Sequence, residues 1–509
     1  MSAQQLIATD MLIVGGGING AGIARDAAGR GLSVVLCEKD DLASHTSSAS
    51  TKLIHGGLRY LEHYEFGLVR KALIEREVLL RAAPHIMWPM RFVMPHDKGQ
   101  RPSWMIRAGL LIYDFLAKRE ILPGSGGIDL RSHPAGKPLK PEFTKGFVYS
   151  DGWVDDARLV VLNALDAAEK GAQVFTHTAC ESARRVGDRW QATLRRAGGS
   201  SVDVHARALV NAAGPWAASF LEGALRQPTG KALRLVKGSH IIVRKLFDHP
   251  YAYIFQNPDG RIVFAIDYEQ DFTLVGTTDL EYHGDTNKVE IDRTEIEYLC
   301  ELTQRYFRKP ITPQDVVWSY SGVRPLLEDD SANASEITRD YKLAIDDATA
   351  PLLSVFGGKI TTFRKLAEEA VDMIAPRLGN HRPTWTEHAC LPGGDLYGAP
   401  QNRAVLEYDA YVNRMQLQYA WLPPKLVARY VRAYGTRIQT LLQGRHGMAH
   451  MGEEVVKDLF AAEIDYLVKN EWASSGADIL WRRSKLGLHL PAGSEQRIDQ
   501  WIARTYKND

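Results

Sequence analysis

Asp10-Met-Leu-Ile-Val-Gly-Gly-Gly-Ile-Asn-Gly-Ala-Gly22, with Ser33-Val-Val-Leu-Cys-Glu38 behind it, reads as a buried strand, a glycine turn, a helix over about Ile18–Arg30, a second strand and an acid. Gly15, Gly17 and Gly20 keep the G-x-G-x-x-G spacing. The first glycine allows a tight turn, the second lets the backbone approach a pyrophosphate, and the third lets helix pack on strand. The helix start at Ile18 and Asn19 aims free N–H groups and a positive dipole end at phosphates. Glu38 follows Gly20 by 18 residues, where an acid meets a ribose hydroxyl. Order and glycines together predict a Rossmann-like unit holding an adenine dinucleotide.

At 509 residues the chain exceeds one ordinary core, so two or three domains are expected. A net charge of +1 argues against a general nucleic-acid binder. Cys37, Cys180, Cys300 and Cys390 stand far apart with no C-x-x-C, so four reduced thiols are expected, with no metal site and no disulfide framework. The short polar start reads as no signal peptide, and no apolar run of about 18 residues predicts a spanning helix.

The fold class expected is α/β plus α+β in three parts. A discontinuous dinucleotide-binding domain takes residues 1–75, 150–232 and 315–390. It resumes with a helix over Asp155–Lys170, strands at Val174–Val186, Trp190–Leu194 and Val202–Val210, and a turn at Asn211-Ala-Ala-Gly-Pro-Trp216. A substrate-side cap domain takes residues 76–149 and 233–314, built on short antiparallel strands such as Ser239–Val243, Ala252–Phe255, Ile262–Ile266 and Phe272–Gly276. Residues 391–509 form a C-terminal helical domain, in which Val455, Val456, Leu459, Phe460, Ile464, Leu467 and Val468 keep near-helical spacing.

Six blocks carry a resemblance to a known family. They are Ile13–Gly22, Thr46-Ser-Ser-Ala-Ser-Thr-Lys-Leu-Ile-His-Gly-Gly-Leu-Arg-Tyr-Leu-Glu62, Tyr149–Asp156, Lys237-Gly-Ser-His240, Ser319-Tyr-Ser-Gly-Val-Arg-Pro325 and Phe356-Gly-Gly-Lys-Ile-Thr-Thr-Phe-Arg-Lys365. With them the chain resembles the bacterial FAD-dependent glycerol-3-phosphate dehydrogenases of aerobic respiration. The second block is the most specific, and the C-terminal part resembles the family more loosely. The resemblance implies noncovalent FAD, oxidation of sn-glycerol 3-phosphate to dihydroxyacetone phosphate, and electron delivery to a membrane quinone. It also implies a homodimer, peripheral on the cytoplasmic face of the inner membrane. His45, just before Thr46, raises the question of a covalent flavin link, as in some amine-oxidising relatives; a noncovalent cofactor is the expectation.

Beyond the first glycines, Ile18, Asn19 and Glu38, the cofactor is expected to meet Thr46, Ser47, Ser48, Lys52, Leu53, His55, Gly56, Gly57, Ala213, Gly214, Trp216, Gly358, Lys359, Ile360 and Thr361. Flavin chemistry leaves the protein to supply position, a base and electrostatics. A phosphate calls for arginine, whose planar fork makes bidentate contacts. The family match assigns Arg324 and Arg339 to the phosphate, and Arg59 and Tyr60 to the same pocket. Arg59 is also a catalytic candidate. His240 and His55 are the candidate bases, because an unperturbed imidazole titrates near working pH; the family match favours His240. Lys359 serves either the reduced flavin or the substrate alkoxide.

Trp88-Pro-Met-Arg-Phe-Val-Met-Pro95 and Trp104–Arg119 mix large apolar groups with cations. The second fits either a headgroup-level segment on a phospholipid surface or a buried helix; the implied quinone acceptor favours the surface. Three other readings stay open. One is a glycerol-3-phosphate oxidase using oxygen. Another is an amine or amino-acid oxidase of the same superfamily. The last is a nonenzymatic dinucleotide-binding protein.

Overall fold

The computed structural model describes residues 5–97, 99–227, 233–257, 259–327 and 341–506. The opening strand, Gln5–Val14, lies between parallel neighbours Val34–Cys37 and Ser201–Asn211. Its end, Met11-Leu-Ile-Val14, is fully apolar because both faces of a parallel sheet are covered. Leu352–Phe356 and Gln173–Phe175 extend the parallel set, and Lys342–Asp346 closes one edge antiparallel. Three separate stretches of chain therefore build one sheet. The strand pair Thr178–Val186 and Arg189–Arg196 folds back on Ser201–Asn211.

The glycine turn follows the opening strand. Gly15 has φ +114°, and a Cβ on Gly20 would fall onto the Gly15 carbonyl, so helix Ile18–Gly29 sits on the strand only with glycine at both places. Helices Asp156–Glu169 and Phe363–Ile374 pack beside it in one apolar core. Asp155 caps the first of these by accepting the Arg158 N–H at 3.2 Å.

The second sheet has ten strands, mostly antiparallel, with Leu233–Arg244 near one edge, between Phe272–Gly276 and Val316–Leu327. Two of its members come from stretches expected in the dinucleotide-binding domain. Val316–Leu327 pairs along nearly the whole of Leu233–Arg244, so the expected boundary at 315 falls in front of a cap-sheet strand. Leu53–Ile54, from inside the cofactor block, pairs with Gly152–Trp153. Trp88–Pro95 is part of the inner strand Met87–His96, paired with Lys145–Val154, and Phe92, Val93 and Met94 are buried.

The C-terminal part has its own core around Tyr411, Val427, Tyr430, Tyr434, Ile464, Leu467 and Trp501. Helices Tyr408–Gln418, Pro424–Tyr434, Ala461–Glu471 and Ser494–Thr505 enclose it. The expected helix through Val455 is interrupted. Val455, Val456, Leu459 and Phe460 form a hairpin, Glu454–Val456 against Leu459–Phe460. Its turn puts Asp458 at φ +61°, a left-handed conformation that Asp tolerates and a helix does not.

Candidate active site

The two sheets face a shared cavity of about 630 Å³, within the usual size range of ligand sites. From the parallel-sheet side come Gly15, Gly17, Ile18, Asn19, Glu38, Ala213, Gly214, Trp216, Gly358, Lys359, Ile360 and Thr361. The long loop after Glu38 adds Thr46, Ser47, Leu53, His55 and Tyr60, and the second sheet adds His240 and Arg324. These residues had all been expected at the site.

Other expected residues stand behind the wall. Gly20 packs under Gly15. Ser48 turns its hydroxyl to the His45 carbonyl at 3.2 Å. Lys52 is buried, its ammonium 2.7 Å from Asp156 Oδ1 and 3.1 Å from the Ser48 carbonyl. Burial pulls its pKa down, against the opposing pull of Asp156. A left-handed backbone, φ +60°, turns Lys52 away from the cavity. The Gly56 N–H donates to the Tyr113 hydroxyl at 2.9 Å, and Gly57 opens the short helix Leu58–His63 that carries Arg59. Arg59 does not reach the wall. Arg339 lies outside the described residues.

The loops that meet the cavity are held from behind. Glu38 accepts the Gly16 N–H at 2.6 Å and the Asp40 N–H at 2.9 Å, one on each oxygen. A carboxylate offers about four lone-pair sites, so acceptor capacity remains for a ribose hydroxyl. Ser47 Oγ accepts the Ile18 N–H at 3.0 Å, and Thr46 Oγ1 donates to the Val323 carbonyl at 2.7 Å. Asn19 Nδ2 donates to the Gly357 carbonyl at 3.1 Å, tying the first turn to the Gly357-Gly358 turn. His45, a wall residue not anticipated as a cofactor contact, is bonded through Nε2 to Asp40 Oδ2 at 2.7 Å and sets its ring edge-on to Trp216.

His240 is 2 % exposed. Its Nε2 lies 2.9 Å from Thr51 Oγ1, and its ring stacks on Tyr320 at 4.8 Å between centroids. Gly276 on the neighbouring strand is a second close approach, since a Cβ there would enter the imidazole. Burial, with Lys52 and Arg324 nearby, holds the imidazole well below its ordinary pKa. The ring is thus neutral at physiological pH and carries one nitrogen able to accept a proton.

Arg324 leaves the strand Val316–Leu327 toward the cavity and pairs with Asp279, with a longer contact to the Thr278 carbonyl at 3.4 Å. Asp279 was not anticipated; its only signal was its place after the strand ending at Gly276. Lys359 sets its ammonium over the Tyr60 ring, 3.9 Å from the centroid, a cation–π contact that orders a flexible stem. Thr51 and Gly238 were also not singled out. In Lys237-Gly-Ser-His240 the two-residue strand period sends Gly238 and His240 into the cavity. Ser239 goes to the other side, where its hydroxyl meets Glu295 at 2.8 Å.

An adenine dinucleotide fits these walls. The backbone at Gly15 to Ile18 meets the cavity at a helix N-terminus, as a pyrophosphate requires. Among the described residues, three that line the cavity hold a buried polar atom with no protein partner: Asn19 Oδ1, Trp216 Nε1 and His240 Nδ1. Buried polar atoms of this kind normally find a partner.

Comparison with known proteins agrees with this geometry. The profile described as "FAD dependent oxidoreductase" matches residues 10–364, and "C-terminal domain of alpha-glycerophosphate oxidase" matches residues 384–504. A glycerol-3-phosphate dehydrogenase of Pseudomonas aeruginosa is 54% identical over 495 residues, 97% of this chain and 94% of the relative. A D-erythritol 1-phosphate dehydrogenase of Brucella abortus is 49% identical over 498 residues, 97% of each chain. The crystal structure of a Bacillus halodurans glycerol-3-phosphate dehydrogenase complexed with FAD superposes with a TM-score of 0.79 at 27% identity, covering 100% of this chain and 92% of that one. The chain belongs to the FAD-dependent oxidoreductases, in the family of the glycerol-3-phosphate dehydrogenases.

Proposed function

We propose that the chain oxidises sn-glycerol 3-phosphate to dihydroxyacetone phosphate and passes the electrons to a membrane quinone. The observation that carries this is one cavity wall holding a neutral imidazole, an aimed guanidinium and an ammonium beside the Gly358–Thr361 turn. Arg324 binds the phosphate, with Asp279 fixing the fork from behind; Arg339 is proposed as a second anchor, and Tyr60 lines the pocket from the short helix that also carries Arg59. His240 accepts the hydroxyl proton. Lys359 stabilises the negative charge that this proton leaves on the substrate oxygen. FAD, when bound, supplies the hydride acceptor.

Helix Ser103–Phe115 supports the surface part of this reading. Leu110, Tyr113 and Asp114 face inward, while Trp104 is 69% and Phe115 79% exposed, with Met105, Leu111 and Ile112 beside them. Arg101, Lys118 and Arg119 flank the helix, and Arg107 lies within it. A solvated apolar face ringed by cations suits the headgroup region of an anionic bilayer. No helix among the described residues is long and apolar enough to cross a membrane. The proposed form is a homodimer, peripheral on the cytoplasmic face of the inner membrane; sedimentation tests the dimer.

The experiment is anaerobic mixing of flavin-loaded protein with sn-glycerol 3-phosphate, read as bleaching of the oxidised flavin. Fast bleaching that plain glycerol does not give supports the reading, and its absence overturns the substrate. Adding quinone or oxygen to the reduced protein separates dehydrogenase from oxidase. The Brucella relative favours a second reading, a four-carbon polyol phosphate. Higher kcat/KM for D-erythritol 1-phosphate than for glycerol 3-phosphate would replace the first.

A further inference from the structure

Asp41 lies in the loop between Glu38, which holds Gly16, and Ala43, whose N–H donates to the Gly16 carbonyl at 3.2 Å. The Asp41 carbonyl accepts the Ser44 N–H at 3.2 Å and the Ser44 hydroxyl at 2.6 Å, closing a tight turn. Ala43 sits at φ +62°, a conformation a non-glycine residue keeps only where its surroundings over-determine it. Glu38, Lys39, Ala43, Ser44 and His45 all line the cavity; Asp41 does not.

The Asp41 carboxylate points instead to the C-terminal domain, where two adjacent arginines take both its oxygens. Arg483 Nη1 is 2.5 Å from Oδ2 and Nη2 is 2.7 Å from Oδ1, and Arg482 Nε is 2.5 Å from Oδ2. The Arg483 and Asp41 side chains are 0% and 1% exposed. Arg482 is held from its other side by Asp478, and Arg483 also donates to the Glu471 carbonyl at 2.6 Å. Both arginines belong to the wide helical turn Asp478–Arg483. From that same turn Trp481 stacks on Trp318 at 3.8 Å, on the strand that carries Arg324. One turn of the C-terminal domain thus grips both the loop beneath the cofactor and the strand that presents the phosphate anchor.

Docking alone does not require this grip. A second buried pair, Arg158–Glu471, ties the C-terminal domain to helix Asp156–Glu169 without touching the loop. What separates the Asp41 pair is its place inside the cofactor loop.

We propose that Asp41 is a positioning residue for FAD: Arg482 and Arg483 hold the loop of residues 38–44 closed on Gly16 through its carboxylate. The C-terminal domain thereby sets how tightly the cofactor is retained. The inference rests on FAD occupying the cavity. The test uses the full chain, with Asp41→Asn compared against Glu471→Gln. FAD dissociation constants come from refilling flavin-stripped protein, and Tm values from circular dichroism. Asp41→Asn should weaken FAD binding by about tenfold or more, the scale of one lost charge-assisted contact. Glu471→Gln should lower Tm at least as far while moving the FAD constant less than about threefold. If Asp41→Asn fails to fold, Arg482→Gln, at the more exposed edge of the cluster, gives the same comparison. Wild-type affinity in a folded loop variant, or FAD loss that follows Tm equally in both, overturns the proposal. A wild-type chain that takes up no flavin overturns the cofactor assignment itself.

Discussion

Replacing Arg324 with Met should raise the KM for sn-glycerol 3-phosphate by about 100-fold and leave FAD content unchanged. The magnitude follows from the geometry. A hydrogen bond to a charged partner contributes about 1.5–3 kcal/mol, and a guanidinium fork offers a phosphate two of them. The Arg324 side chain is 29% exposed, so solvent screening points to the lower half of the summed range, about 3 kcal/mol. That is roughly a factor of 100 in affinity. Removing the cation also takes the Arg324 partner from the Asp279 carboxylate, 15% exposed, and leaves that negative charge unscreened by the guanidinium toward a dianionic phosphate. Combining Arg324→Met with Asp279→Asn removes that repulsion and should recover part of the loss, on the order of tenfold. The assay is anaerobic stopped-flow reduction over a substrate series, with flavin content read from absorbance and glycerol as the phosphate-free control. The single variant should lose most of the preference for phosphate. A folded, flavin-loaded variant with a KM within about threefold of wild type would refute the phosphate assignment.

Four further outcomes follow. His240→Asn should slow flavin reduction by about 10²–10⁴-fold, the usual share of a general base, while KM changes little; an unchanged reduction rate removes His240 from the chemistry. Because burial depresses the His240 pKa, the unfolded chain binds this proton more readily than the folded one. Its contribution to stability is full above about pH 6.5 and falls as pH drops below it; thermal melts of wild type and His240→Asn across this range should converge at low pH. Lys52→Met strands the buried Asp156 carboxylate and should cost about 3–5 kcal/mol in denaturant unfolding; a wild-type midpoint would show that Asp156 does not need its cation. Trp104→Ser with Phe115→Ser should release the protein from anionic vesicles in a co-sedimentation assay, and undiminished binding would move the lipid surface elsewhere.

The strand, turn, helix and acid at residues 10–38 were legible because each signal is local: an apolar run, glycine spacing, a helical period. Gly358, Lys359 and Thr361 were legible for the same reason. What escaped depends on pairing between distant stretches. Nothing near Val316–Leu327 announces that it pairs with Leu233–Arg244, and Asp279 meets Arg324 only because that pairing exists. Lys52 sits between Thr51 and Leu53, which both line the cavity, yet a left-handed backbone angle sends it to Asp156. Val455 to Phe460 shows why short apolar runs mislead. Their spacing fits a helical face, but the Lys457-Asp458 turn makes a hairpin of them.

Leu53–Ile54 has a wider consequence. The chain leaves the cofactor loop and at once becomes a strand of the other sheet, on Gly152–Trp153, while Thr46 is bonded to the Val323 carbonyl of that sheet. The cofactor loop and the second sheet are thus joined twice, along the chain through Leu53 and across it through the Thr46–Val323 hydrogen bond. A chimera that took residues 1–75 from one parent and the rest of the cap sheet from another would pair Leu53–Ile54 with a foreign strand. The nucleotide half and the cap are in this sense one piece, the span of residues 10–364 that a single family profile covers.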